Sequence, residues 1–336
     1  MLVLGIESTC DETACSIVRD GHTVLSNVIS SQIDLHAEYG GVVPELACRR
    51  HVDVLIPIIE ESLKKANLLL TDIDLFAVAQ GPGLIGAILI GLNAAKSLAL
   101  ALNKPLIGVN HVEAHLYAAI MSQNTPVQFP CLGVVISGGH TAMIKMDDLG
   151  IYHPISQTID DAIGEAFDKV AKLLGLPYPG GPIIEQLAKY GDPLKYPFKA
   201  GHVKENPLSF SFSGIKTAVY YAIKDKALSE SDKSDVAASF QYIACMDIIK
   251  KSLLAAQQYN YNTLLFGGGV SNNQRLRKLF AEKAPQLTCI WPSAGLTLDN
   301  AAMIAGLGYH KYLKKGKSDT LSLDAFTRDS TFSSKN

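Results

Sequence analysis

Paired cysteines are missing from this chain. Cys10, Cys15, Cys48, Cys131, Cys245 and Cys289 form no C-x-x-C pair and no disulfide-framework spacing, so reduced, buried thiols are expected. An excess of charge of either sign is missing too. With 30 Lys and Arg against 32 Asp and Glu, a net charge of −2 gives no compositional sign of a nucleic-acid partner, and any such claim must rest on local placement. No long apolar run is unbroken. The longest, Leu84 to Leu102, is interrupted by Gly86, Gly91, Asn93, Lys96 and Ser97, which reads as a buried helix and not as a membrane span. The apolar start, Met1 to Ile6, lacks a basic lead and runs into Glu7 and Asp11, so it reads as a buried strand, not a signal peptide, and the cytoplasm is the expected compartment. Two catalytic signatures are absent as well: there is no H-E-x-x-H helix and no complete G-x-x-x-x-G-K-[ST] loop.

What is present is a duplicated α/β pattern. A chain of 336 residues, 48% hydrophobic, is long enough for two domains with separate cores. Leu2 to Ile6 reads as a strand, Glu7 to Glu12 as a polar turn, and Thr13 to Val18 as a returning strand. The same order recurs at Cys131 to Ile136, Ser137-Gly138-Gly139-His140 and Thr141 to Met146. Both returning strands begin Thr-Ala, and the repetition suggests two related domains facing each other across a cleft. The expected boundaries are a first lobe over 1–128, a second over 129–314 with an exposed insertion at 190–212, and a loosely packed tail over 315–336. Residues 44–66 read as a helix opened by Pro44, with Leu46, Val52, Leu55, Ile56, Ile59 and Leu63 as its apolar face.

Chemistry is suggested first by His111-Val112-Glu113-Ala114-His115, which follows a strand-like run ending at Val109. On a helix, positions i and i+4 lie about 40° apart, so both imidazoles point the same way. Glu113 lies about 200° round from His111 and cannot act as a zinc-protease base there. Taken alone, the pair is either a metal clamp or a hydrogen-bonded helix end. Turns built from Ser137-Gly138-Gly139 and Gly267-Gly268-Gly269 leave backbone N–H groups open to a phosphate or carboxylate, although a tight hairpin needs no ligand.

Two hairpins and a Gly-rich strand–helix junction in a duplicated chain resemble the actin/Hsp70/sugar-kinase (ASKHA) superfamily, in which each lobe carries a phosphate hairpin. In those ATPases the first hairpin carries an Asp that directs Mg²⁺, and the second reads D-x-G-G-G-T. This chain has Glu7 and Ile136-Ser137-Gly138-Gly139-His140-Thr141 in those places.

More specifically, Gly5-Ile6-Glu7-Ser8-Thr9-Cys10-Asp11-Glu12-Thr13, Gly40 to Ala47, His111 to His115, Ser137 to Thr141 and Asp160 to Lys169 resemble the bacterial-type tRNA threonylcarbamoyl transferases, once called glycoproteases. Tyr178 to Pro182, Phe210 to Thr217, Gly268 to Ser271 and Asp299-Asn300 continue the match in order, so it covers nearly the whole chain. The chain departs from the family pattern at Ser209, at Asn272 and Gln274, and at Leu296-Thr297-Leu298.

The resemblance implies an α/β fold of two duplicated ASKHA lobes with a ligand cleft between them. It implies transfer of a threonylcarbamoyl group from threonylcarbamoyl-AMP, made by a separate synthase, to N6 of adenosine 37 in tRNAs reading codons that begin with A. One Fe²⁺ per subunit, or Zn²⁺, is implied at His111, His115 and Asp299. Substrate contacts carry over to Val135, Ile136, Ser137, Gly138, Gly139, Asp168, Gly181 and Asn273, with Asp168 accepting from a hydroxyl pair. Asp11 and Glu12 are candidates for handling the proton lost by the attacking amine, or for a structural role. Implied partners are tRNA, a TsaB-like paralogue and a TsaE-like P-loop ATPase, with no membrane. Arg49, Arg50, Lys195, Lys199, Lys204, Lys216, Arg275 and Arg277 are the candidate tRNA contacts. The rival reading is an ASKHA-type ATPase or small-molecule kinase.

Overall fold

The computed structural model describes residues 1–328. Apolar runs bounded by polar turns give β1 (Leu2–Glu7), β2 (Glu12–Arg19) and β3 (Thr23–Ser31), the last two joined through Asp20 and Gly21, both at positive φ. A short α1 (Ile33–Ala37) precedes α2 (Pro44–Ala66), whose proline sits at the first helical position, where no N–H is needed. Next come β4 (Leu75–Gly81), α3 (Ile85–Leu102), β5 (Leu106–Asn110) and α4 (His111–Met121). The second half runs β6 (Cys131–Ile136), β7 (Thr141–Asp148), β8 (Ile151–Gln157), α5 (Ile163–Leu173), α6 (Gly180–Ala188), α7 (Ser213–Ile223) and α8 (Glu230–Tyr259). It continues through β9 (Thr263–Gly267), α9 (Gln274–Lys283) and β10 (Thr288–Ile290) before the chain ends its regular structure in α10 (Ala301–Lys315).

The repetition seen in two hairpins extends through two whole sheets. One has the strand order β3-β2-β1-β4-β5 and the other, written in the same sense, β8-β7-β6-β9-β10. In each, the first three strands pair antiparallel and the last two join in parallel. That is the duplicated α/β arrangement expected of an ASKHA fold. Strand β8 has no counterpart in the sequence reading because Pro154 interrupts its pattern, which an edge strand tolerates.

Contacts divide the chain into two units, Met1–Pro126 with Pro292 onward, and Val127–Trp291. The expected second lobe over 129–314 is thereby corrected: α10 belongs to the first unit. Its small residues make this possible, since Ala301 and Ala305 lie against Gly5 of β1 and Gly308 lies against Ala77 of β4. The tail is corrected as well. Ser318 and Asp319 bond to the backbone of Leu106 and Gly108 on the edge strand β5, Phe326 N donates to Gln80 O, and Leu323 and Ala325 pack on the first core. An edge strand with bare N–H and C=O groups is covered in this way. Residues 329–336 of the expected tail lie outside the described residues.

Two further expectations shift. The buried face of α2 is Ala47, His51, Leu55, Ile58, Ile59 and Ser62, while Val52 and Ile56 are 64% and 54% exposed. Polar His51 and Ser62 go inside because each finds partners: His51 meets Thr13 and Cys10, and Ser62 meets Ser26 and Cys15. Residues 190–212 lack a regular helix or strand, with Tyr190 and Leu194 exposed, yet Val203 is buried and Leu208, Phe210 and Phe212 belong to the second core. Helix α3 is long and apolar enough to cross a membrane by length and composition, and it packs Ala87, Ile88, Gly91, Leu92, Ala95 and Ala99 inward.

A methyl group added at Gly5 would lie 2.4 Å from Ala301 O and 2.8 Å from Ala305 N, both backbone atoms. Gly5→Ala is therefore expected to destabilise the fold by about 1–3 kcal/mol in urea titrations. An unchanged midpoint would show that α10 is not seated on β1 as described.

Candidate functional site

Strand β5 runs directly into α4, and Asn110 caps the junction, its Oδ1 accepting from Val112 N and Glu113 N. The cap starts the helix at His111, so His111 and His115 share a face, with ring centroids 4.6 Å apart. The third member comes from the chain's return. Asn300 caps α10 by accepting from Met303 N and donates to Leu298 O, which fixes the residue between them, Asp299. Asp299 Oδ1 lies 3.2 Å from His115 Nε2 and 3.6 Å from His111 Nε2. Ligand atoms of the three residues all fall within 4.8 Å of one another.

Neither ring nitrogen of His115 makes a hydrogen bond, although the ring is buried and Nε2 is close to Asp299. The distance is short but the direction is wrong for a bond between them. Three donor groups aimed at a common point, one carrying an orphaned nitrogen, fit a divalent cation. Two imidazoles and one carboxylate leave further positions on such an ion for substrate oxygens.

Behind the histidines stands β1. Glu7 is wholly buried, with Oε2 2.9 Å from His111 Nδ1 and Oε1 accepting from Thr9 N at 2.6 Å. Thr9 Oγ1 is 3.2 Å from the same imidazole nitrogen. Burial lowers the proton affinity of His111, but the carboxylates of Glu7 and Asp299 outweigh it and raise its pKa to about 9. The next turn holds Asp11 and Glu12. Burial, then the negative charges of Asp299 and Asp11, push the Glu12 carboxyl up to about 10. Burial also pushes the Cys10 thiol far up, with Asp11 and Asp299 adding to it. His51 braces this turn: Nε2 donates to Cys10 O, which leaves Nδ1 to accept from the Thr13 hydroxyl, and burial lowers its pKa. Glu113 is buried in α4 and is not among the three clustered ligands.

In the second unit, the β6–β7 turn is closed by Ser137 N donating to His140 O and His140 N donating to Ser137 Oγ. A Cβ at Gly138, Gly139 or Gly181 would meet nothing within 4 Å, so these backbones border open space. Val135 and Ile136 bury their side chains in the core and have only backbone to offer a ligand. Helix α5 abuts the turn, since Gly164 lies against Gly138 and its N–H donates to Ser137 O. Asp168 is one turn further on, about 6 Å along the axis. Its Oδ1 accepts from Gly180 N, which ties it to the start of α6. Asn273 caps α9 through Leu276 N and donates to Gln241 Oε1, which occupies both ends of its amide.

Three of the candidate tRNA contacts are engaged within the fold. Lys195 pairs with Asp235 at 2.7 Å, Lys216 approaches Asp161 at 3.8 Å, and Arg277 Nε donates to Ser271 O. Lys199 instead lines a concavity of about 450 Å³ with His202, Lys250 and the buried Lys251–Asp247 pair. Sequence reasoning missed Lys250 and Lys251, which lie on α8 amid an apolar pattern. It missed the Glu7–His111 bond for a similar reason, because nothing local to either residue signals the other.

The sequence profile of a family described as tRNA N6-adenosine threonylcarbamoyltransferase matches residues 23–306. A protein of that description from Protochlamydia amoebophila (strain UWE25) is 68% identical over 335 residues, covering 98% of both chains. Among solved structures, the (R)-2-hydroxyglutaryl-CoA dehydratase component A of Acidaminococcus fermentans is similar at a TM-score of 0.53 and 14% identity, over 93% of this chain and 99% of that one. HypF of T. kodakarensis is similar at a TM-score of 0.63 and 13% identity, over 96% of this chain and 49% of that one. The two structures share the fold.

For chelator-treated protein, the raised pKa of His111 sets the sign of a pH dependence. Its contribution to stability is complete below the unfolded value of about 6.5 and is lost as pH rises through about 9. Glu12, raised to about 10, also lowers stability with rising pH, over a wider range. The melting temperature should therefore fall between about pH 6.5 and 9, and fall less steeply in His111→Gln. Equal slopes in the two proteins would remove the His111 contribution.

Proposed function

Because the chain belongs to the tRNA N6-adenosine threonylcarbamoyltransferase family, we propose that it transfers a threonylcarbamoyl group from threonylcarbamoyl-AMP to N6 of adenosine 37 in tRNAs reading codons that begin with A. In that reaction the exocyclic amine attacks the carbamoyl carbon, the bond from that carbon to the phosphate oxygen breaks, AMP leaves, and the amine loses a proton. The observation that carries the reading within the molecule is the His111, His115 and Asp299 cluster with its orphaned imidazole nitrogen.

The three residues hold one Fe²⁺, with Zn²⁺ as the alternative, since two histidines and a carboxylate with open positions suit either ion. When bound, the metal supplies a Lewis acid and a template for substrate oxygens. Backbone groups at Ser137, Gly138, Gly139 and Gly181 border space for the adenylate, while Asp168 and Asn273 hold the helices beside it in place. Asp11 and Glu12, on the turn after β1, are the groups offered to the amine proton, and burial with the charges of Asp299 and Asp11 raises the proton affinity of Glu12.

A tRNA substrate supports a cytoplasmic location. Its phosphates are met by Lys199 and Lys250 at the basic concavity. The exposed apolar residues Val52 and Ile56 on α2 supply a docking face for the TsaB-like paralogue, and a TsaE-like ATPase completes the set. The intermediate comes from a separate synthase.

Purified protein mixed with threonylcarbamoyl-AMP, the partner proteins and tRNA is expected to modify adenosine 37, and His111→Ala to lose at least two orders of magnitude in rate, roughly the effect of losing one charge-stabilising group. No modification by the wild type would overturn the transferase reading; equal rates would overturn the metal role. Lys199→Glu with Lys250→Glu should weaken tRNA binding and lower the slope of log affinity against log salt by about one per lost phosphate contact. An unchanged slope would remove these lysines from the tRNA surface.

A further inference from the structure

In the ATPases that this duplicated fold resembles, the acidic residue of the first hairpin directs a nucleotide-bound Mg²⁺. The corresponding Glu7 is differently employed. It has no solvent exposure, and both carboxylate oxygens are taken up inside the first unit: Oε2 by His111 Nδ1 at 2.9 Å, Oε1 by Thr9 N at 2.6 Å. We infer that Glu7 is a positioning residue for the histidine pair, holding His111 so that Nε2 faces Asp299 and His115, and that it takes no part in directing Mg²⁺ on a nucleotide.

The argument is one of proton inventory. A carboxylate offers only acceptors, so the ring nitrogen facing it carries the proton. With Nδ1–H committed to Glu7, a neutral His111 has its lone pair on Nε2, the nitrogen 3.6 Å from Asp299 Oδ1. Ring orientation follows from the same bond, because Glu7 and Thr9 hold one edge of the imidazole and leave the other toward the cluster. A partner carboxylate also makes the imidazole a better donor to a cation. His115 lacks any such bond: neither of its nitrogens is hydrogen-bonded, so the aim of the pair depends on His111. Glu7 reaches this place because β1 pairs with β4, and β4 with β5, whose end opens α4. The strand that carries the Mg²⁺-directing acid elsewhere therefore delivers one here to the back of a histidine.

This inference concerns the metal-binding residues of the proposed site, and its test requires neither the donor nor tRNA. Affinity for Zn²⁺ and Co²⁺ is measured by competition with a chromophoric chelator on wild type, Glu7→Gln, Glu7→Ala and Thr9→Val. One ion per chain is expected throughout, with affinity about 10- to 100-fold lower in Glu7→Ala, an intermediate loss in Glu7→Gln, which keeps an acceptor oxygen, and little change in Thr9→Val. The visible band of the Co²⁺ protein should shift in the two Glu7 variants. Should these not fold, ¹⁵N shifts of histidine in the Zn²⁺-loaded wild type decide the matter: a protonated Nδ1 at His111 supports the role. Wild-type affinity and an unchanged Co²⁺ spectrum in folded Glu7→Ala, or Nδ1 bound to the ion, would overturn it. So would Mg²⁺-dependent ATP hydrolysis by the wild type that Glu7→Gln abolishes. Failure to modify tRNA with a Glu7-dependent metal affinity would sink the transferase reading and leave this one standing.

Discussion

One carboxylate oxygen, Oδ1 of Asp299, stands before both imidazoles of α4, and much of the first unit serves to hold it there. Asp299 enters from the far end of the chain, so its position depends on α10 lying close against β1 and β4. Backbone can come that close to a sheet only where the facing residues are small. Gly5, Ala301, Ala305 and Gly308 are those residues. Asn300 then converts helix position into side-chain position, since a cap that accepts from Met303 N and donates to Leu298 O leaves Asp299 little freedom. The strap of residues 318–326 along β5 holds the same sheet edge from which α4 begins.

Electrostatics make the arrangement purposeful. Glu7 and Asp299 lie against the buried histidines, and the charge of Asp299 also bears on Glu12, so negative charge collects where water is scarce. The fold answers by raising the proton affinity of His111 and of Glu12. A divalent cation at the histidines would relieve the same strain. The second unit is built on a contrary principle. Its open surfaces at Gly138, Gly139 and Gly181 are backbone, which suits an anionic or hydrogen-bonding group, while Asp168 and Asn273 each accept from the first turn of a helix.

Elements governed by local pattern were legible in the sequence. Strand β1, the start of α2 at Pro44 and the histidine helix after β5 follow from apolar alternation, a proline and a cap residue, all read within a few positions. The second repeat was legible because it says the same thing twice. Less was visible where a partner at long range decides. Val52 and Ile56 have the spacing of a buried face, yet His51 and Ser62 go inside, because Thr13, Cys10, Ser26 and Cys15 satisfy their polar atoms and a buried satisfied polar group carries little penalty. The edge strand β8 was hidden by Pro154, and the return of α10 to the first unit by its place in the chain.

By itself, then, the sequence determined that this is a duplicated α/β protein with two histidines on one helical face and glycine-rich turns after its strands. Periodicity, caps and glycine act over a few residues, and their physics does not wait for the fold. The tertiary structure alone decided that Asp299 completes the histidine pair in geometry, that Glu7 stands behind His111, that burial and neighbouring charge raise the Glu12 carboxyl, and that Asp168 and Asn273 bond to the first turns of helices. Each of these is a matter of distance, burial or summed charge between segments remote in sequence, and such quantities have no value until the chain has closed on itself.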